Sequence, residues 1–256
     1  MQDALYLMQT RGWFQFEACL SPAQISQLNE DVLKAYGIRR EVQIKNGVSH
    51  SMGGTAHHTL GAGDSLDDFI NHLPLIEVIK AHFAGQVILL NFGATLNQPG
   101  EKPYTHKIHR DIRAFSPDYF LSLNMLVMLD DFTLENGATK VLEGSHHIQA
   151  MPSETLFDSH ATSLTGKAGD IVLFNSSLAH KGAPNQSSGP RRALTLCFGR
   201  PFMKPQMDWQ SFIPLETQAH LTPLGRQLLG FNARMPKNLD EYYQPMDNWT
   251  FKADQI

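Results

Sequence analysis

Apolar and polar positions along the chain change their period near residue 86. Before it, the spacing predicts helices. Residues 3–10 form a short amphipathic run, and GWFQF after it reads as a strand. Ser21-Pro22-Ala23-Gln24 is a helix start, with Ser21 as N-cap, Pro22 at the first helical position and Gln24 completing a capping box. That helix is expected to reach about Tyr36, with Gly37 placed to end it. Asp67 to Ala84 reads as another helix. Between the two lies VSHSMGGTAHHTLGAGDS, a loop by composition, of the kind that often contacts substrate.

From Gln86 onward the runs are short, β-branched and aromatic: QVILLNFGATLN, YTHKIHRDIRAF, FLSLNMLVML, ATKVLEG, GDIVLFNSSLAHKG and RRALTLCFG. The clusters NQPGEKP, LENG and PNQSSGP punctuate them. Several short strands separated in this way predict a β-sandwich or barrel. Beyond Phe202 the chain reads as irregular, with a short helix near Pro223–Gly230. The expectation is one domain over 1–256: a helical part over about 1–85, a β core over about 86–202, and an irregular part over 203–256. Its fold class is mainly β with flanking helices.

Composition narrows the function classes. The chain has 256 residues, 42% of them apolar and 18% charged, an ordinary globular make-up large enough for a sizeable core. A net charge of −4 without a basic block gives nucleic acid no electrostatic footprint. The N-terminal residues lack the pattern of a signal peptide, and no apolar run approaches membrane-spanning length. Two distant cysteines, Cys19 and Cys197, make no disulfide framework, so a reduced, cytoplasmic setting is expected.

The candidate chemistry begins at His109-Arg110-Asp111. On an extended segment residues 109 and 111 point one way and Arg110 the other, so an imidazole and a carboxylate stand side by side. Alone the tripeptide is weak, and a surface His–Asp pair would explain it. His180 follows at the end of DIVLFNSSLAH, before a Gly-Ala-Pro-Asn turn. Two histidines and one carboxylate with open positions opposite are the ligand set of non-haem Fe(II) oxygenases. Arg191 comes eleven residues beyond His180 at the start of the next strand, where a guanidinium can hold a carboxylate bidentately. Arg192 competes for that role, and strand alternation lets only one of them face inward. Asn124 is a polar residue within an apolar strand. It needs a partner, either a co-substrate oxygen or a neighbouring strand. Thr105 has the parity to line the same cavity, whereas His106 is expected to face away. His57 and His58 lie in the Gly-rich loop and are either substrate contacts or solvated.

These segments together, with LDDFTLENGATKVLEGSHH at 129–147 and AGDIVLFNSSLAHKGAPNQSSGPRRAL at 168–194, resemble the phytanoyl-CoA dioxygenase family. The resemblance covers about 86–200 well and the N-terminal helices more loosely. It implies a double-stranded β-helix, or jelly-roll, cupin-like core. It implies His109, Asp111 and His180 as iron ligands and Arg191 as the anchor for the distal carboxylate of 2-oxoglutarate, with Asn124 and Thr105 as further co-substrate candidates. Asn185 matches an asparagine common in the turn after the distal histidine. His146 and His147, in a segment where EGSH replaces the family's PGSH, are read as structural. The implied reaction consumes Fe(II)-bound 2-oxoglutarate and O2, releases succinate and CO2, and hydroxylates a small-molecule substrate. The alternative is a cupin-type metal enzyme that does not use 2-oxoglutarate and has no need of Arg191. Substrate is expected to be read by the loop 46–66, the segment 112–120 and the region around Trp209 and Phe212.

Overall fold

A computed structural model describes residues 1–112, 114–116 and 119–255. In chain order the regular elements are α1 (Gln2–Thr10), β1 (Trp13–Phe16), α2 (Pro22–Lys45), β2 (Thr55–His57), α3 (Ser65–Asn71), α4 (Ile76–Phe83), β3 (Ile88–Asn97), β4 (Ser122–Met128) and β5 (Lys140–Val141). They continue with α5 (Glu154–His160), β6 (Thr162–Ser163), β7 (Ile171–Asn175), β8 (His180–Lys181) and β9 (Arg191–Gly199). Four short helices follow: α6 (Trp209–Phe212), α7 (Leu215–Ala219), α8 (Pro223–Leu228) and α9 (Leu239–Tyr242).

The strands make a mainly β, jelly-roll core with flanking helices. An antiparallel six-stranded sheet has the order β1-β7-β4-β9-β3-β2, and a three-stranded sheet the order β6-β5-β8. Alternation along each strand of the large sheet sorts its residues into two layers. Leu89, Phe92, Leu123, Met125, Leu173, Leu194 and Phe198 pack on the helices, against Leu28 and Val32 of α2, Phe69 and Ile70 of α3, and Ile79 and Phe83 of α4. Leu126, Met128, Val172, Phe174 and Ala193 face the other way, onto Phe132, Val141, Leu164 and Leu178. Further along β3, β4 and β9 the inward positions turn polar: Asn91, Thr95, Asn124, Thr195 and Arg191. A sandwich interior lined by such residues is a binding cavity rather than core.

Several local expectations are corrected. The Ser21 capping box is formed, but α2 continues through the exposed Gly37 to Lys45. A mid-helix glycine costs only about 1 kcal/mol, and the last turns are tied down by Arg39 to the His58 carbonyl (2.5 Å) and Gln43 to the Thr55 carbonyl (2.9 Å). The single helix expected over 67–84 is two, α3 and α4. Pro74 supplies no N–H to a helix, and Leu75 takes a left-handed conformation at φ 61°. The described residues of YTHKIHRDIRAF do not form a strand. Tyr104–His106 makes a 3-10 turn, and among the described residues of the segment only His109 makes a β-bridge. DIVLFNSSLAH is likewise broken, because a turn at Ser176–Ala179 carries the chain from β7 in the large sheet to β8 in the small one. The region after 202 is more helical than expected and is anchored by the buried Trp209, whose indole N–H donates to the Leu89 carbonyl at 2.9 Å. No helix among the described residues is long and apolar enough to cross a membrane.

Candidate metal centre

The backbone sets the two histidines against each other. His109 and His180 exchange N–H···O bonds of 3.0 Å as an antiparallel bridge, and the Asp111 N–H donates to the Ser176 carbonyl at 3.0 Å. Arg110 between them turns outward and donates to the carbonyls of Ser145 (2.9 Å), Ile148 (2.6 Å) and Gln149 (2.8 Å). The Ser145 hydroxyl in turn accepts from the Ala179 N–H at 2.9 Å. The turn after EGSH therefore fixes the strand segments on both sides of the site.

Both imidazoles are oriented for a metal. His109 Nδ1 lies 2.8 Å from the Lys107 carbonyl and His180 Nδ1 lies 2.9 Å from the Leu178 carbonyl. A carbonyl can only accept, so each ring carries its hydrogen on Nδ1 and leaves an Nε2 lone pair free. Those two Nε2 atoms approach the Asp111 oxygens at 3.6 and 3.5 Å, and the three ligand atoms lie within 4.8 Å of one another. Burial pushes the His180 pKa below the ordinary imidazole range, with Asp111 opposing it, so the ring is neutral as a ligand must be.

Asp111 and His180 open onto a cavity of about 660 Å³ that is also lined by Arg191, Asn124, Thr105 and His57. Strand alternation separates the two arginines. Arg192 faces out and forms a two-point ion pair with Asp130 at 2.6 and 2.8 Å. Arg191 faces in, is 4% exposed, donates to the Gly137 carbonyl at 2.5 Å, and stacks its guanidinium 4.2 Å over Phe132. Burial pushes its pKa down to about 10, opposed by Asp130. Among the described residues no carboxylate pairs with Arg191, and its Nε has no partner. A buried cation without a counter-ion is a strong invitation to an anion.

The remaining predicted positions divide. Thr105 lines the cavity, but from the 3-10 turn rather than by strand parity, and its carbonyl accepts from the Gly182 N–H at 2.8 Å. His106 also borders the cavity, with Nε2 at 3.2 Å from the Asn97 side-chain oxygen. The loop histidines diverge. His57 lines the cavity with Nε2 at 3.4 Å from the Tyr104 hydroxyl, whereas His58, at φ 55°, packs edge-on against Trp209. Burial lowers the His58 pKa to about 4. Asn124 donates to Asp111 Oδ2 at 2.6 Å. Asn185 serves its own turn, donating to the carbonyls of Asn97 and Gly189. His146 and His147 both reach the Gln9 carbonyl with Nε2. Of the segments expected to read substrate, Gly54, Thr55 and His57 of the loop reach the cavity, and neither Trp209 nor Phe212 is among its lining residues. Arg113, Pro117 and Asp118 of the segment 112–120 lie outside the described residues.

Sequence reasoning passed over Asn91, Tyr104, Thr139, Thr195 and Gln206, all of which line the cavity. For Thr195 a signal existed, since it shares the parity of Arg191 on one strand. For Tyr104, Thr139 and Gln206, in or beside loops, none did. Cys197 lines the cavity too, and burial raises its thiol pKa to about 12.

The family model for phytanoyl-CoA dioxygenase (PhyH) matches residues 8–193, from the end of α1 through α2, α3 and α4 to the start of β9. The chain belongs to the phytanoyl-CoA dioxygenase family. An uncharacterised protein of Mycobacterium tuberculosis, Rv1501, is 32% identical over 152 residues, which span 59% of this chain but only 56% of the mycobacterial protein. Several fungal relatives are named as dioxygenases, among them two that match over most of this chain. One, FUM3 of Gibberella moniliformis, is 26% identical over 93% of this chain and 85% of its own length. The other, af480 of Aspergillus fumigatus, is 26% identical over 91% and 77%. Among solved structures, AviO1 of Streptomyces viridochromogenes superposes with a TM-score of 0.57 at 18% identity, covering 80% of this chain and 96% of that one. SnoK, described as a non-haem alpha-ketoglutarate-dependent carbocyclase of nogalamycin biosynthesis, superposes with a TM-score of 0.58 at 15% identity, covering 78% and 83%. At such identities the likeness establishes the shared jelly-roll fold.

Proposed function

We propose that this member of the phytanoyl-CoA dioxygenase family is a single-domain Fe(II)- and 2-oxoglutarate-dependent dioxygenase that hydroxylates a small-molecule metabolite. The observation that carries the reading is the meeting of two things in one cavity: a His109–Asp111–His180 donor set and the uncompensated buried Arg191. A metal site alone fits many enzymes. The cupin alternative leaves a desolvated guanidinium facing the metal cavity without a purpose.

The donor set fits Fe(II). Two neutral imidazoles and one carboxylate match its ligand preferences. His109 Nε2, His180 Nε2 and an Asp111 oxygen would hold the ion. Iron with 2-oxoglutarate and O2 would supply the oxidising power, releasing succinate and CO2. The protein supplies position and shielding. Arg191 binds the far carboxylate of the co-substrate, and Phe132 behind it keeps water from competing for the guanidinium. His57, Tyr104 and Asn91, which line the same cavity, are the side chains offered to a substrate.

The deciding experiment is anaerobic addition of Fe(II) and then 2-oxoglutarate, followed by visible absorption. A weak metal-to-ligand charge-transfer band is expected in the wild type and its loss in His180→Ala. Iron binding without the band would move the cupin-type reading ahead. Full iron occupancy in His180→Ala would remove the ligand assignment.

A further inference from the structure

Asn124 is 4% exposed at the centre of β4, the middle of the large sheet, and Asp111 is its partner at 2.6 Å. The Asn124 side-chain oxygen is engaged as well, accepting from the Ser176 hydroxyl at 3.1 Å. Ser176 is fully buried, and its backbone carbonyl is the group that receives the Asp111 N–H. One residue thus touches Asp111 twice, directly through the backbone and indirectly through Asn124. The bond to Asp111 also settles which way the Asn124 amide points. With the amide reversed, its oxygen would face the carboxylate at 2.6 Å, two acceptors in repulsion.

The relay Ser176→Asn124→Asp111 engages Oδ2 and, among the described residues, leaves Oδ1 with no hydrogen-bond donor. A carboxylate with both oxygens free can rotate, or take an ion through both. One whose Oδ2 accepts a short charge-assisted bond is held against rotation, and the oxygen without that bond is the better donor to an ion. We propose that Asn124 is the positioning residue of this centre: it holds the Asp111 carboxylate so that one oxygen serves the ion and the other coordination positions stay open to co-substrate. In this role Asn124 acts through Asp111 and not by touching 2-oxoglutarate. The proposal rests on the metal assignment above, and its test separates the two.

Anaerobic titration of wild type, Asn124→Ala, Asn124→Ser and Ser176→Ala with Fe(II), and with Co(II) read by its visible d–d bands, gives metal affinity and ligand geometry independently of turnover. Thermal melts of the metal-free proteins report folding. The expected result for Asn124→Ala is Fe(II) affinity lower by about 10–100-fold, the usual cost of losing a hydrogen-bond partner of a metal ligand. The Co(II) bands are expected to shift, while half-saturation by 2-oxoglutarate at saturating metal changes less than about threefold. Ser176→Ala should move the same readouts in the same direction by less. If Asn124→Ala does not fold, Asn124→Ser and Ser176→Ala decide. Unchanged metal affinity and Co(II) bands in folded variants would overturn the proposal. So would a tenfold rise in the 2-oxoglutarate requirement with metal affinity intact, which would make Asn124 a co-substrate residue. Failure of the wild type to bind Fe(II) would instead overturn the metal assignment, and this role with it.

Discussion

Arg191→Leu tests the co-substrate reading most sharply, because residue and ligand can each be shortened. A ligand present at 100 times its Kd stabilises the folded state by about 2.7 kcal/mol. For a chain of this length, each kcal/mol moves the melting temperature by about 2–4 °C. Metal-loaded wild type should therefore gain roughly 5–11 °C from 2-oxoglutarate at that concentration. The guanidinium is buried and pairs with no carboxylate among the described residues, so its loss removes a charge-assisted contact to the ligand worth about 1.5–3 kcal/mol. A loss near the top of that range is about 100-fold in affinity. The same ligand concentration would then stabilise by only about 0.4 kcal/mol, or roughly 1–2 °C. Burial that lowers the Arg191 pKa to about 10 means the charged form is disfavoured in the folded state. That cost, on the order of 3 kcal/mol, is present at every pH below about 10 and is relieved as pH rises further. Relief of it offsets the lost Gly137 bond and Phe132 contact, so the metal-free variant should stay folded. The assay is anaerobic thermal denaturation with 2-oxoglutarate or 2-oxobutanoate, which lacks the distal carboxylate. Wild type should prefer 2-oxoglutarate by about two orders of magnitude, and Arg191→Leu should barely discriminate. A variant that keeps the preference, or an Arg192→Leu protein that loses it, refutes the reasoning.

Gly137→Ala should weaken 2-oxoglutarate binding while leaving Fe(II) bound. Gly137 sits at φ 78°, and a Cβ there would run into the Ala183 carbonyl and the Asn97 amide, displacing the carbonyl that holds Arg191; isothermal titration of both ligands would show it. Half-buried His58 and His82 both have pKa values lowered to about 4, so they bind protons more readily once unfolded. Stability is then fully present above pH 6.5 and falls as pH drops toward 4, by up to about 1.4 kcal/mol per pH unit for each histidine, and a flat urea-denaturation profile across that window would contradict it. Ser21→Ala removes the reciprocal cap of α2 and should cost about 1 kcal/mol without affecting metal binding, read from the urea midpoint. Cys197, its thiol raised to about 12, should resist iodoacetamide in the native protein and react only on unfolding, as intact mass would report.

Much of the fold was legible in one dimension because its signals are local. The capping box at Ser21 is made within four residues, and the alternation of β4, β7 and β9 is a property of each strand alone. Alternation also separates Arg191 from Arg192 along β9. What sequence could not decide was how distant segments meet. Helix α2 outlasts Gly37 because loop carbonyls at Thr55 and His58 hold its last turns. The candidate metal site forms because a turn at Ser176–Ala179 moves the chain between sheets and brings His180 against His109. The partner of Asn124 is likewise a tertiary fact, since a buried amide must bond to something but the sequence does not say to what. Side-chain type and strand period fix which way a residue faces. Only the closing of one sheet over another fixes what it faces, because hydrogen bonds and burial act over a few ångströms between residues far apart along the chain.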